Sequence, residues 1–238
     1  MAGPMAEPRS SKQAAGEAAA RLVKNGMKLG LGTGSTVEFF LQALAARIQR
    51  EGLQVVGVPT SKATGDRAEA LGVPLTDLER TPELDLVVDG ADEVDGEFRL
   101  IKGGGGALLR EKIVAAAGKK VVIIVGAGKC VARLGTSFML PVEVTPFGHG
   151  ATRGRIEREG HCTAFLRTAA DGQPFRTDNG NLIFDCRFDK GIGNPVTLHR
   201  KLSEIPGVVE IGLFLDLCHV VVEGRDDGTV KILERPRA

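Results

Sequence analysis

Apolar residues are grouped along this chain in two alternating ways. Short, almost unbroken runs at 28–31 (KLGL), 53–58 (LQVVGV), 84–88 (LDLVV) and 120–125 (KVVIIV) read as strands buried on both faces. Between them, Val37, Phe40, Leu41, Leu44 and Ile48 recur at helical spacing and form one apolar face. Further helices are predicted over 12–24, closed by Asn25-Gly26, over 63–71, closed by Gly72, and over 107–117. Strand and helix alternate, which predicts a parallel sheet with helices on both faces. Pro4 and Pro8 argue against helix at the start, and residues 1–10 are expected to fray.

The pattern changes after residue 138. A strand is predicted over 140–144, a helix over 153–159, and strands over 162–167 and 182–188. The two strands are joined by a polar turn around Asp171-Gly172 and Asp178-Asn179-Gly180. A helix over 195–205 and a strand over 208–214 complete a β-α-β-β-α-β order, the ferredoxin-like unit. A last hairpin, 219–222 with 229–233, is expected to return to the first unit. The expected division is 1–137 plus 209–238 for the parallel-sheet domain and 138–208 for the smaller one.

Composition narrows the partners. With 31 Lys and Arg against 30 Asp and Glu, the net charge of +1 makes no bulk case for nucleic acid or membrane binding. No apolar run reaches membrane-spanning length, and MAGPMAEPRSSKQ lacks the apolar core of a secretory signal, so a cytoplasmic location is expected. Cys130, Cys162, Cys186 and Cys218 are scattered, as are His149, His161, His199 and His219. Neither set has metal-ligand spacing, so no metal site and no cofactor are expected. Trp and Tyr are absent, which removes the usual stacking platforms for single-stranded nucleic acid.

The chemistry concentrates in VVDGADEVDGEFRLIKGGGGALLREK at 87–112. A buried strand runs into Asp89, Asp92, Glu93 and Asp95. Lys102 follows, then Gly103 to Gly106, then a helix carrying Glu111. Carboxylates, a cation and bare backbone N–H groups are thereby expected at a strand end, where open α/β sheets place their sites. The set suits proton transfer beside a carbonyl: a carboxylate base, with a cation and N–H donors for an oxyanion. A turn needs only one or two such residues; four glycines fit a ligand approaching the main chain. Glu111 is two residues from both Leu109 and Ile113, so it is expected opposite an apolar face that they define, turned toward the cleft.

A second glycine loop, GLGTGST at 30–36, opens the first long helix. Free N–H groups and the helix dipole there favour an anion, with Thr33, Ser35 and Thr36 adding hydroxyls. The dinucleotide fingerprint fails, because no third glycine follows and VGVPT at 56–60 ends without a ribose-binding acid. The Walker lysine is missing as well. A monophosphate is the better ligand, and a plain helix cap by Ser35 or Thr36 is the simpler alternative. Lys129, after the 121–125 strand, is a further candidate cation.

GLGTGSTV, VDGADEVD and KGGGGALLREK, in this order, closely resemble the type A ribose-5-phosphate isomerases, as do TDNGN at 177–181 and IPGVVEIGLF at 205–214. The resemblance implies an α/β fold, with a Rossmann-like parallel-sheet catalytic domain and a smaller ferredoxin-like α/β lid domain. It implies a metal-free aldose–ketose isomerase of the pentose phosphate pathway, assembled as a homodimer or homotetramer. Carried over by position, Glu111 is the base, with Asp89, Asp92 and Lys102 as its catalytic companions. Lys12, Thr33, Gly34, Ser35, Thr36, Gly90, Ala91, Gly103, Gly104, Gly105 and Lys129 are implied at the substrate. KGGGG stands where some members have KGGGA, expected only to add backbone freedom. Two rivals are a non-catalytic sugar-phosphate sensor, which lacks a DNA-binding extension here, and a nucleotide-dependent oxidoreductase, which the loop mismatches disfavour.

Overall fold

The computed structural model describes residues 10–236. In chain order the elements are α1 (Ser11–Ala20), β1 (Lys28–Leu31), α2 (Ser35–Glu51), β2 (Val56–Pro59), α3 (Lys62–Ala70), β3 (Leu86–Gly90), β4 (Glu93–Val94), β5 (Leu100–Ile101), α4 (Leu108–Ala116) and β6 (Val121–Val125). There follow β7 (Leu140–Val144), α5 (His149–Gly160), β8 (Thr163–Leu166), β9 (Leu182–Arg187), α6 (Pro195–Ser203), β10 (Val208–Ile211), β11 (Leu213–Phe214), β12 (Val220–Gly224) and β13 (Val230–Glu234). Of the segment expected to fray, residues 1–9 lie outside the described residues. Ser10 is ordered, because its hydroxyl accepts the Gln13 N–H and caps α1.

The central sheet has the order β13-β12-β6-β3-β1-β2, parallel except for the edge strand β13. Consecutive residues of β6 enter opposite cores, which is why VVIIV is apolar without a break. Val122 and Ile124 pack with Phe40 and Leu44 of α2, while Val121, Ile123 and Val125 pack with Leu108 and Val114 of α4. After β1 the chain turns outward to β2, then crosses back to β3 on the other side. The carboxyl ends of β1 and β3 therefore flank the point where strand order reverses. Helix α1 is seated closely at its start and its middle: a Cβ on Gly16 would stand 2.7 Å from Phe40 N, and one on Gly224 of β12 would stand 1.7 Å from Ser11 O.

The second unit is a four-stranded antiparallel sheet, β10-β7-β9-β8, packed against α5 and α6. Numbered within the unit, its strands lie fourth-first-third-second, the ferredoxin-like order. The third sheet, β11-β5-β4, joins the two units and was not foreseen. Its strands are two residues long, too short for any periodicity.

The expected strand over 208–214 is two strands in two sheets. At Gly212 the chain changes partners: its N–H donates to Pro141 O at 2.7 Å and its carbonyl accepts from Lys102 N at 2.9 Å. A Cβ there would stand 2.4 Å from Lys102 O, so only glycine permits the crossing. Because Val208–Ile211 pairs with β7, the boundary expected at 208 cuts a lid strand. The helix expected over 12–24 stops at Ala20, where Arg47 Nη1 of α2 donates to Ala20 O and Val23 O, satisfying the carbonyls of the unwound end. Leu53 and Val55 are buried but precede β2 rather than belonging to it.

Candidate active site

A cavity of about 190 Å³ lies at the strand-order reversal, between the ends of β1, β3 and β6 and the starts of α1, α2 and α4. Every residue that the resemblance implied at the site, except Asp89, lines it, and Ser11, Gly126 and Ala127 line it too. Those three carry no charge or motif of their own. They reach the cavity because α1 begins beside the loop after β6, with Lys12 Cγ 3.0 Å from where a Gly126 Cβ would be.

At the inner end, Lys102 stands between two carboxylates. Its Nζ is 3.0 Å from Asp89 Oδ2 and 3.2 Å from Glu111 Oε1, and it donates to Gly90 O at 2.5 Å. The exposures are 1% for Asp89, 2% for Lys102 and 3% for Glu111, so this group of charges is almost dry. The short strand β5 delivers the lysine, and its own N–H is fixed on the carbonyl of Gly212, between β10 and β11. Asp89, near the end of β3, accepts the N–H groups of Thr33 at 3.0 Å and Gly90 at 2.7 Å on Oδ1. A Cβ on Gly32 would stand 2.1 Å from that oxygen, which explains the glycine. Asp89 thus lies beneath the cavity and supports Lys102 rather than facing a ligand.

Burial pushes the Glu111 carboxyl up to about 8, against the pull of Lys102, and the Asp89 charge adds to the rise. Burial pushes Asp89 up as well, opposed by Lys102 and by the two backbone N–H groups. Burial works against the Lys102 ammonium, but Asp89 and Glu111 outweigh it and hold its pKa above the usual lysine value. Asp89 has three partners for its charge and Glu111 has one. Glu111 Oε2 has no hydrogen-bond partner, and neither has Asp89 Oδ2, which faces Lys102 only as an ion pair.

The acidic cluster that looks continuous in sequence divides in space. Asp92 lines the cavity and accepts the Gly104 N–H at 2.8 Å. Glu93 is buried elsewhere, accepting the N–H groups of Gly135, Ser137 and Phe138, and so ties down the loop before β7. Asp95 closes the β4–β5 turn by accepting from Glu97 N, Arg99 N and Arg99 Nε.

The face of α4 also differs from expectation. Glu111 does face the cavity, but opposite no apolar stripe: Ile113 is 50% exposed, and the buried face is Leu108, Glu111, Val114 and Ala115. A buried carboxylate interrupts the apolar period that would have revealed the face.

At the outer end, α2 begins with Gly34 at the cap position and no side-chain cap, and α4 likewise begins on Ala107 without one. The alternative of a Ser35 or Thr36 cap is thereby removed. Helices α1, α3 and α6, by contrast, are capped by Ser10, Ser61 and Asn194. The first-turn N–H groups of α2 stay free for an anion. Lys12 Nζ donates to Ser35 Oγ at 2.9 Å, adding a cation. Thr33 turns its hydroxyl away, into a cluster with Thr60, Ser61 and Thr64 at 2.7, 2.9 and 3.0 Å. Lys129 Nζ lies 5.9 Å from the Phe138 ring centre, and a Cβ on Gly104 would stand 3.0 Å from Phe138 Cζ. That places Lys129 on the glycine-loop side. Among the described residues, no three His, Cys, Asp or Glu side chains converge as metal ligands.

The family model described as ribose 5-phosphate isomerase A (phosphoriboisomerase A) matches residues 56–228. Ribose-5-phosphate isomerase A of Synechococcus sp. (strain JA-3-3Ab) is 50% identical over 225 residues, 94% of this chain and 97% of that protein. This chain belongs to the ribose 5-phosphate isomerase A family. Among solved structures, the ribose 5-phosphate isomerase from Plasmodium falciparum superposes with a TM-score of 0.91 at 35% identity, covering 95% of this chain and 98% of that one. A D-ribose-5-phosphate isomerase in complex with phospho-erythronic acid superposes with a TM-score of 0.90 at 36% identity, covering 94% and 98%. Within this isomerase family the fourth glycine of KGGGG was expected only to loosen the loop. Here it is required: Gly106 has φ +81°, and Phe175 Cε1 occupies the space 2.5 Å from where its Cβ would be.

Proposed function

We propose that this chain interconverts D-ribose 5-phosphate and D-ribulose 5-phosphate through a cis-enediolate, with Glu111 as the base. One observation carries the reading. Glu111 is a cavity-lining carboxyl, held by a single buried ammonium and raised to about 8, with one oxygen unpartnered. Such a group takes a proton near neutral pH and holds it until it is returned. In the open-chain aldose, Glu111 removes the C2 proton and delivers it to C1. The aldehyde oxygen gains the charge, and the glycine-loop N–H groups meet it. Lys102 already directs its donors at Asp89, Glu111 and Gly90, so it stabilises the developing charge at short range without bonding to the sugar. Asp92 is placed to exchange hydroxyl protons. The phosphate sits at the start of α2, on Ser35, Thr36 and Lys12, and Lys129 contacts the sugar.

The names of the relatives and the phospho-erythronic acid bound by one of them support a sugar phosphate as substrate. The uncapped start of α2 supports the phosphate placement. We include a homodimer or homotetramer in the same reading, on the family resemblance alone. Cytoplasmic residence is part of it too, and no helix among the described residues is long and apolar enough to cross a membrane.

The test is turnover of ribose 5-phosphate by the parent chain and by Glu111→Gln. The parent is expected to form ribulose 5-phosphate. Glu111→Gln should lose ~10²–10⁴-fold in kcat, the worth of a positioned base, while inorganic phosphate still inhibits it competitively. A variant that turns over normally removes Glu111 from the role.

A further inference from the structure

Four consecutive glycines order themselves poorly, since each gives up more backbone freedom on folding than any other residue. The loop 103–106 must nonetheless hold its N–H groups still to meet an enediolate oxygen. Its outer side is held by the lid. Arg167, just after β8, donates from Nη1 to Gly103 O at 2.9 Å and to Gly104 O at 3.2 Å. The guanidinium is itself fixed: Nε and Nη2 donate to the two oxygens of Asp185 on β9, at 2.9 and 2.5 Å. Its carbon lies 5.8 Å from the centre of the Phe175 ring, the same ring that fills the space beside Gly106.

Peptide geometry turns this clamp into a statement about the N–H groups. In a trans peptide the C=O of one residue and the N–H of the next point in opposite directions. No described peptide is cis. With Gly103 C=O on Arg167, the Gly104 N–H faces the other way, and there it meets Asp92. With Gly104 C=O on Arg167, the Gly105 N–H faces away from the clamp, and Gly105 lines the cavity. That N–H donates to no group among the described residues.

We propose that Arg167 is a positioning residue for the isomerisation: it orients the 104–105 peptide so that the Gly105 N–H is aimed at the oxygen that becomes the enediolate, and thereby links the lid to the reacting end. It touches no reacting atom. The inference rests on reading the glycine loop as the oxyanion site.

The test compares Arg167→Gln and Arg167→Lys with the parent. Lysine keeps the charge but cannot span two carbonyls and a carboxylate in one plane. Misplacing a donor by about 1 Å costs about 100-fold, so kcat should fall by about that for Arg167→Gln and less for Arg167→Lys, with KM little changed. Phospho-erythronate, whose carboxylate resembles the enediolate oxygens, should weaken in step with kcat. Inorganic phosphate, bound at the far end, should inhibit as before. The Gly105 amide resonance should move in Arg167→Gln without any ligand, which reads the peptide even if the parent proves inactive on ribose 5-phosphate. Unchanged kcat, equal weakening of phosphate and phospho-erythronate, or an unmoved Gly105 resonance would overturn the proposal. If Arg167→Gln does not fold, the same readings on Arg167→Lys decide it.

Discussion

At the Glu111 end of the cleft, three charged groups sit at 3% exposure or less, each within bonding distance of another. At the Ser35 end, Lys12 and Ser35 stand in solvent, joined by one hydrogen bond. Burial keeps water from screening the charges at the inner end and raises the Glu111 carboxyl, whereas water screens the charge at the outer end. Binding a dianionic group needs only favourable charge and free donors. Moving a carbon-bound proton needs a base tuned away from its ordinary value. On the proposed roles of the two ends, the difference in burial follows that division of work.

The comparison breaks most severely at Lys102. Lys102→Met leaves Asp89 and Glu111 buried without their cation, and removing one partner of such a set costs about 3–5 kcal/mol. A denaturant titration should show that loss, and Lys102→Met combined with Asp89→Asn should recover part of it. The equivalent change at the open end, Lys12→Ala, should leave stability within about 0.5 kcal/mol.

The pH dependence separates the ends next. With Glu111 raised to about 8 in the free protein, kcat/KM should fall about tenfold per pH unit below that value, and Glu111→Gln should lose this limb. Stability carries the same group with a definite sign. Between the ordinary carboxylate range and pH 8 the folded chain binds a proton that the unfolded chain does not. Stability therefore falls as pH rises through that window, and Glu111→Gln should flatten the slope.

The smallest effects belong to the end proposed to hold the phosphate. A charge-assisted bond contributes ~1.5–3 kcal/mol, and exposure puts Lys12 at the lower limit, so Lys12→Ala should weaken phosphate inhibition about tenfold. Ser35→Ala should cost less, at ~0.5–1.5 kcal/mol. Lys129→Ala should weaken ribose 5-phosphate while leaving phosphate inhibition unchanged. If phosphate is weakened equally by Lys129→Ala, the two lysines share the phosphate and the assignment of ends fails. Added salt should raise the phosphate inhibition constant well before it shifts the Glu111 limb.

Much of this was legible in the sequence. Apolar runs reported the strands because β3 and β6 are buried on both faces, and the β-α-β-β-α-β order of the lid followed from turns and periodicity. The glycine loops marked both ends of the cleft because free N–H groups need bare backbone. What periodicity could not show was a polar residue on a buried face, so the orientation of α4 was argued from Leu109 and Ile113, which are not its core. Nor could spacing separate Asp92, at the cavity, from Glu93 and Asp95, whose oxygens are used up on backbone N–H groups. The direction of the Thr33 hydroxyl depends on Thr60, Ser61 and Thr64, which come from the next β-α unit. Arg167 carries no local signal at all, because its partners are carbonyls of a loop 64 residues earlier.

The seating of α1 has a consequence for how this enzyme comes into being. Ser11 and Lys12 border the cavity, yet the carbonyl of Ser11 rests against Gly224, near the other end of the chain. The first helix packs both on α2, made soon after it, and on β12, one of the last strands. The central sheet that carries the cavity is likewise complete only once β12 has paired with β6. The part of the cavity wall made first is thus seated against a strand made last.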